Sequence, residues 1–366
     1  MTPEDSLADV RRGGRLAFED AERVYVEATT EDLQRTAVIV RDRHNAPGRA
    51  TYLIDRNVNY TNVCTTDCKF CEFYRPPGHA EAYVLSRRIL SEKFSELVSL
   101  GGTRVLLQGG HHPDLRIDWY EDLLRFLRSE FPSIELNAFS PSEIENLGRL
   151  EHLATREILI RLKAAGMAGL PGGGGEILDD EIRTLVSPKK TKTAEWLRIM
   201  GEAHELGLTT TATMVFGFGE EPRHRVNSLH ALRERQDDSL ARYGRGFTAF
   251  ASWPLQFESR YGHVFAGLKG WKLGGTAEEY LRHTAFARIF LDDIPHFQAS
   301  WPTMGLEIAK DALAYGCDDM GGTMMEENVV SQAGGKHCNA PADALIECIR
   351  AAGLTPRQRD SSYVLL

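Results

Sequence analysis

Between residues 51 and 323, eight short apolar or β-branched runs alternate with seven longer stretches of helical periodicity. That alternation is the pattern of strand–helix units around a parallel sheet. The first run, "TYLIDRNVNYTNVC", ends in a cysteine-bearing loop. The others are "TRVLLQGG" (103–110), "SIELNAF" (133–139), "MAGLPGGGG" (167–175), "TTTATMVFG" (209–217), "GFTAFASWPL" (246–255), "HFQASWP" (296–302) and "CDDMGGT" (317–323). Eight units predict an α/β fold of the (β/α)8 TIM type. An open doubly wound sheet would usually have fewer units and a GxGxxG helix start after its first strand.

Residues 1–50 read as an N-terminal helical cap of two short helices, in "EDAERVYVEAT" and "TEDLQRTAVIVRDRH". Residues 324–366 read as a C-terminal capping extension packed on the barrel, with the amphipathic helix "PADALIECIRAAG" and the extended end "RDSSYVLL". No Pro/Ser-rich linker separates either from the core at 51–323, so one barrel with caps is expected. A net charge of −9 argues against a nucleic-acid surface, and no apolar run approaches the roughly 20 residues of a membrane span. The acidic, polar N-terminus predicts a cytoplasmic protein, where six cysteines point to metal rather than to disulfides.

In such barrels the chemistry sits at the C-terminal strand ends. The loop after the first strand, "YTNVCTTDCKFCEFYRPPG", places Cys64, Cys68 and Cys71 at Cys-x3-Cys-x2-Cys spacing. Thiolates suit zinc or iron–sulfur clusters. Zinc would need a fourth ligand, for which His79 is the nearby candidate, otherwise a plain loop histidine. On a four-iron cubane, three thiolates leave one iron open to a substrate or cofactor.

This motif, with Phe70 just before the last cysteine, resembles the signature of the radical S-adenosylmethionine (SAM) superfamily. The resemblance implies one 4Fe-4S cluster per chain, SAM chelated at the open iron, and an external one-electron reductant such as flavodoxin or ferredoxin. It implies SAM contacts at Phe70, at Gln108, Gly109 and Gly110 of "LLQGGHHP", at Ser140, at Glu176 and at Gly217 of "TMVFGFGE". His111 stands where the superfamily has an acidic residue. The glycines 172–175 read either as an anion-binding turn at a helix start or as a flexible turn.

Segments spread over residues 55–360, among them "DRNVNYTNVC", "LGGTRVLLQGGHHPDL", "LPGGGGEIL" and "GGTMMEENVVSQAG", are similar to the dehypoxanthine futalosine cyclases of the futalosine route to menaquinone. That implies a 5′-deoxyadenosyl radical taking the ribose C4′ hydrogen of a small-molecule substrate. The carbon radical then adds to the benzoate ring, and loss of an electron and a proton restores aromaticity. Base or polar roles fall to His111, Asp293 and Glu327, with Asp292 beside them. Arg75 would take the substrate carboxylate; His112, Gln298, Ser300, Trp301 and Glu326 would line the substrate. The plainer readings are that Asp292 and Asp293 cap a helix and that Glu326 and Glu327 form a solvated pair. Glu72, "SWPLQFESRYGHVFAGLKGWKL" and "SWPTMG" depart from the family pattern, which leaves a related radical transferase as the alternative. Cys317, Cys338 and Cys348 are too widely spaced for a second cluster and read as ordinary cysteines.

Overall fold

Ten parallel strands form one sheet in the order β10-β1-β9-β8-β7-β6-β5-β4-β3-β2. They are β1 (Arg49–Leu53), β2 (Asp55–Asn59), β3 (Arg104–Gln108), β4 (Glu135–Ala138), β5 (Gly169–Leu170), β6 (Thr209–Phe216), β7 (Ala249–Pro254), β8 (His296–Gln298), β9 (Asp319–Gly322) and β10 (Thr355–Gln358). The computed structural model describes residues 2–258, 272–337 and 339–366. The "SRYGHVFAGLKGW" part of the strand-seven exit and Cys338 lie outside the described residues.

Only Ile54 separates β1 from β2, yet β1 pairs with β9 and β10 while β2 pairs with β3. The Asn57 N–H also donates to the Met324 carbonyl at 2.8 Å, and the Thr323 N–H to the Leu53 carbonyl at 3.2 Å. One continuous stretch, 49–59, thus joins the two edges and the sheet curls into a barrel. Its helices form the outer layer, because successive strand residues face opposite ways. On β3, Val105 and Leu107 are fully buried against helices, while Arg104, Leu106 and Gln108 point into the barrel.

All eight expected strand runs contain strands. Two departures have simple causes. β10 was not expected, since the extended end "RDSSYVLL" begins just after it; its sequence "TPRQ" carries no apolar alternation, and it joins the sheet through backbone bonds to β1. Beyond it, Arg359 makes a fully buried ion pair with Asp319, so the tail also fills the barrel's N-terminal end. The N-terminal segment has three helices rather than two: Pro3–Arg11, Phe18–Glu27 and Thr30–Asp42. The first starts at a capping box between Thr2 and Asp5.

Candidate active site

Five of the seven non-glycine residues with positive φ, Asp67, Phe139, Glu176, Met324 and Met325, lie in the loops after β2, β4, β5 and β9. Such conformations cost about 1–3 kcal/mol each and persist where surroundings impose them, commonly at functional sites. Two adjoining chambers open there.

The smaller, about 170 Å³, is lined by all three cysteines with Phe70, Gln108, Gly109, Gly110, His111, Ser140, Glu143, Glu176 and Lys190. None of these three cysteines is in a disulfide. Their sulfurs are not all within 4.8 Å of one another, wider than the roughly 4 Å that Zn–S bonds of about 2.3 Å impose on neighbouring thiolates. His79 is exposed, its Nδ1 accepting the Glu81 N–H at 3.1 Å, and so supplies no fourth ligand. A spread trio of thiols around a chamber fits a cubane cluster better than zinc.

The cysteine loop lies directly on the turn after β3. A Cβ on Gly110 would stand 2.4 Å from the Val63 carbonyl oxygen and 2.6 Å from Cys64 Cβ. The His111 N–H donates to Cys64 Sγ at 3.3 Å. Under this turn, Glu143 accepts from the Gly109 N–H at 3.0 Å, the Tyr60 hydroxyl at 2.8 Å and the Ser140 hydroxyl at 2.7 Å. Burial raises its carboxyl above the ordinary range, although these donors oppose the shift. Burial likewise pushes the Cys68 thiol up to about 12 and raises Cys71, with the Lys190 ammonium acting against both. Lys190 is 2.6 Å from Glu176. Burial opposes its charge, yet Glu176 and Cys68 hold it above lysine's usual value. Burial, then Lys190 and Arg149, lower His111 to about 3, so this imidazole is neutral, and its Nε2 has no hydrogen-bond partner.

The larger chamber, about 350 Å³, runs down the barrel axis and shares Asn59, Phe70, Gln108, Glu176 and Val329 with the first. Gln298, Ser300, Trp301 and Glu327 line it. Trp301 is buried, its indole N–H donating to the Gly322 carbonyl at 3.1 Å. Gln298 donates to the Tyr363 hydroxyl at 2.9 Å. Glu327 accepts from the N–H groups of Val329 and Val330, at 2.8 and 3.1 Å, and from Asn57 Nδ2 at 2.6 Å. Its carboxyl is raised, by burial first and by neighbouring Glu326 last.

Six expected site residues are placed elsewhere. Arg75 is turned into its own loop, donating to the carbonyls of Glu72, Phe73 and Tyr74 and pairing with Glu81 at 2.7 Å; it braces the cysteine loop and lines neither chamber. Glu72 is buried there. His112 points away, its Nδ1 accepting the Asp114 N–H at 3.1 Å. Asp293 precedes β8, at the N-terminal end of the barrel, within 3.3 Å of Arg15; Asp292 beside it pairs with Arg15 and Arg233. Glu326 turns to Arg56 and Lys93. Gly217 lines neither chamber; its N–H donates to Glu220 at 2.8 Å.

The glycine run is packed rather than free. A Cβ on Gly173 would lie 2.5 Å from Gln108 Nε2, and the next helix, Asp180–Val186, begins well after the run, so these amides are not a helix N-terminus. Lys190, Glu143 and Tyr60 were not singled out from sequence. Lys190 sits in "SPKKTK", which reads as a solvated basic run. Cys317 is buried and Cys348 donates to the Leu306 carbonyl at 3.3 Å, both outside the chambers.

Residues 58–232 match the Radical SAM superfamily, and residues 244–366 match the CofH/MqnC C-terminal region. The chain is 42% identical to the cyclic dehypoxanthine futalosine synthase of Halalkalibacterium halodurans, covering 100% of this chain and 95% of that one. It is 37% identical to the 5-amino-6-(D-ribitylamino)uracil–L-tyrosine 4-hydroxyphenyl transferase of Archaeoglobus fulgidus, over 86% of this chain and 88% of the relative. The FeFe-hydrogenase maturase HydG of Carboxydothermus hydrogenoformans superposes with a TM-score of 0.75 at 17% identity, over 99% of this chain and 80% of that one, which speaks to the shared fold. Among the described residues no helix is long and apolar enough to cross a membrane. The chain is a radical SAM enzyme and belongs to the family of the cyclic dehypoxanthine futalosine synthases.

Proposed function

We propose that this enzyme converts dehypoxanthine futalosine to its cyclic form in menaquinone biosynthesis, with a 4Fe-4S cluster on Cys64, Cys68 and Cys71 and SAM beside it. The observation that carries this reading is the pairing of a three-cysteine chamber with a deeper chamber lined by Glu327, Gln298 and Trp301. When bound, cluster and SAM supply a 5′-deoxyadenosyl radical that takes the C4′ hydrogen of the substrate, after an external carrier such as flavodoxin or ferredoxin has delivered one electron. The residues of the chain then do three things.

Phe70 and Gln108, which border both chambers, hold the ribose between cofactor and barrel. Trp301, Leu106 and Leu170 wall the larger chamber, keeping the ring against the radical carbon and water away from it. Glu327 takes the ring proton, and the released electron returns to a one-electron carrier. Two backbone N–H groups and Asn57 fix the carboxylate of Glu327 for that role.

The test is anaerobic incubation of reconstituted enzyme with SAM, reductant and dehypoxanthine futalosine. The expected result is 5′-deoxyadenosine together with a product two hydrogens lighter than the substrate. Deoxyadenosine formed at the same rate with and without this substrate rejects the assignment and favours a transferase reaction.

A base must be ionised to act, and burial has raised the carboxyl of Glu327. Turnover is therefore expected to fall on the acid side at a pH above the ordinary glutamate value of about 4.3. Glu327→Gln should lower product formation by about 10²–10⁴-fold and abolish that acid limb. An unchanged pH–rate profile in the variant would show that another group takes the proton.

A further inference from the structure

A benzoate substrate carries its carboxylate into the barrel, where a buried charge without a partner is costly. Arg75, the sequence candidate for that partner, is spent on its own loop. The larger chamber offers a different cation. Among the described residues that line it, Arg104 is the only positively charged one, and Glu176 and Glu327 are the only acids.

Arg104, Leu106 and Gln108 are the three inward positions of β3. At about 3.3 Å per residue they span about 13 Å along the strand, roughly 10 Å of barrel axis at the usual tilt of about 36°, from the floor to the boundary with the cysteine chamber. That depth suits a ring and a sugar laid end to end. The Nε and Nη2 of Arg104 donate to Asp55 Oδ2, at 3.2 and 2.5 Å. Its Nη1 has no hydrogen-bond partner among the described residues. Asp55 is itself held by the Met324 N–H at 2.9 Å. The guanidinium is thus fixed on one edge and open on another, with its charge balanced by Asp55. Asn137 and Thr209 line the same end and add neutral polar groups.

We propose that Arg104 is the anchor for the substrate carboxylate, with Asp55 as its positioning residue. On this arrangement the benzoate lies at the barrel floor and the ribose is presented at Gln108 and Phe70, beside the cysteines. The inference rests on the substrate reading given above, and names where that substrate's charge is recognised.

The test uses benzoate and benzamide as probes, titrated into the full-length reconstituted protein and followed by ligand-detected NMR. A charge-assisted hydrogen bond predicts that benzoate binds at least about tenfold more tightly than benzamide. Arg104→Gln should erase that preference. Because this variant leaves Asp55 buried without its partner, the Asp55→Asn/Arg104→Gln double variant repeats the measurement with a neutral pair. Equal binding of the two probes to the wild-type protein, or a preference that survives in the double variant, overturns the proposal. Steady-state kinetics separate it from the substrate assignment. If benzoate preference depends on Arg104 but dehypoxanthine futalosine is not cyclised, the anchor stands and the substrate is wrong. If cyclisation proceeds with an unchanged KM in the double variant, the substrate stands and the anchor is wrong.

Discussion

Gly110→Ala is expected to give a folded protein that binds less than about one iron per chain after anaerobic reconstitution, where about four are expected for the wild-type protein. The added Cβ would meet the Val63 carbonyl and Cys64 Cβ at 2.4 and 2.6 Å. Those are backbone and near-backbone atoms that cannot swing aside, so the cysteine loop must move, carrying Cys64 away from its partners. Product formation should drop to background, as it should in Cys68→Ala, although every thiol is still present in Gly110→Ala. Iron and sulfide analysis with the visible absorption band reads the effect. Cys348→Ser, whose sulfur donates to the Leu306 carbonyl and lines neither chamber, should keep the full iron content. A Gly110→Ala protein with wild-type iron would mean that the loop docks loosely.

Arg359→Met is expected to destabilise the fold by about 3–5 kcal/mol, the range for removing one partner of a buried ion pair. Arg359 and Asp319 are both fully buried, joined by bonds of 2.6 and 2.8 Å, and the guanidinium lies 3.8 Å over the ring of Tyr363. Although burial alone would raise Asp319, Arg359, Thr51 and the Gly321 N–H outweigh it and hold the carboxyl below its ordinary value. The stabilisation is therefore present above the unfolded pKa and is lost as pH falls through the depressed folded one. In Arg359→Met the sign reverses. Asp319 is left buried without its countercharge, its pKa rises, and the penalty is relieved on acidification. The stability gap between wild type and variant, read by denaturant unfolding, should be widest at neutral pH and narrow toward about pH 4. A gap that does not depend on pH would trace the loss to packing on Tyr363 rather than to charge.

The barrel could be read from the sequence because its strands carry apolar side chains toward the helices, as Val105 and Leu107 do on β3. β10 could not, since "TPRQ" carries no apolar alternation. The helix Pro141–Glu151 was also hidden, because "FSPSE" looks like a loop until Ser140 is seen capping it. At the site, the cysteines were legible from spacing, and Gln298, Ser300, Trp301 and Glu327 from their place at or after the end of a strand. Arg75 and His112 occupy similar positions, but sequence does not say which way a loop side chain turns, and both turn onto their own backbone. Asp293 precedes its strand and so belongs to the opposite end. Arg104 escaped notice for a related reason: it begins a strand, where function is not expected in this fold, and only the depth of the chamber brings it into view.

The closure of the barrel has a consequence for synthesis. β1 finds its neighbours only in β9 and β10, and the bond from Thr51 to Asp319 links residues 268 positions apart. On the ribosome, β1 emerges early and stays an unpaired edge until nearly the whole barrel has followed. Exposed strand edges invite pairing with other chains, and contacts this distant slow folding. The helices Pro3–Arg11 to Thr30–Asp42 are made before β1, but Ala37 and its neighbours pack on Ala277–Phe290 and Leu313–Tyr315, which come late. A nascent chain therefore holds its first barrel strand open for most of translation, and a chaperone that shields one strand edge should raise the yield of this protein more than one that shields helical surface.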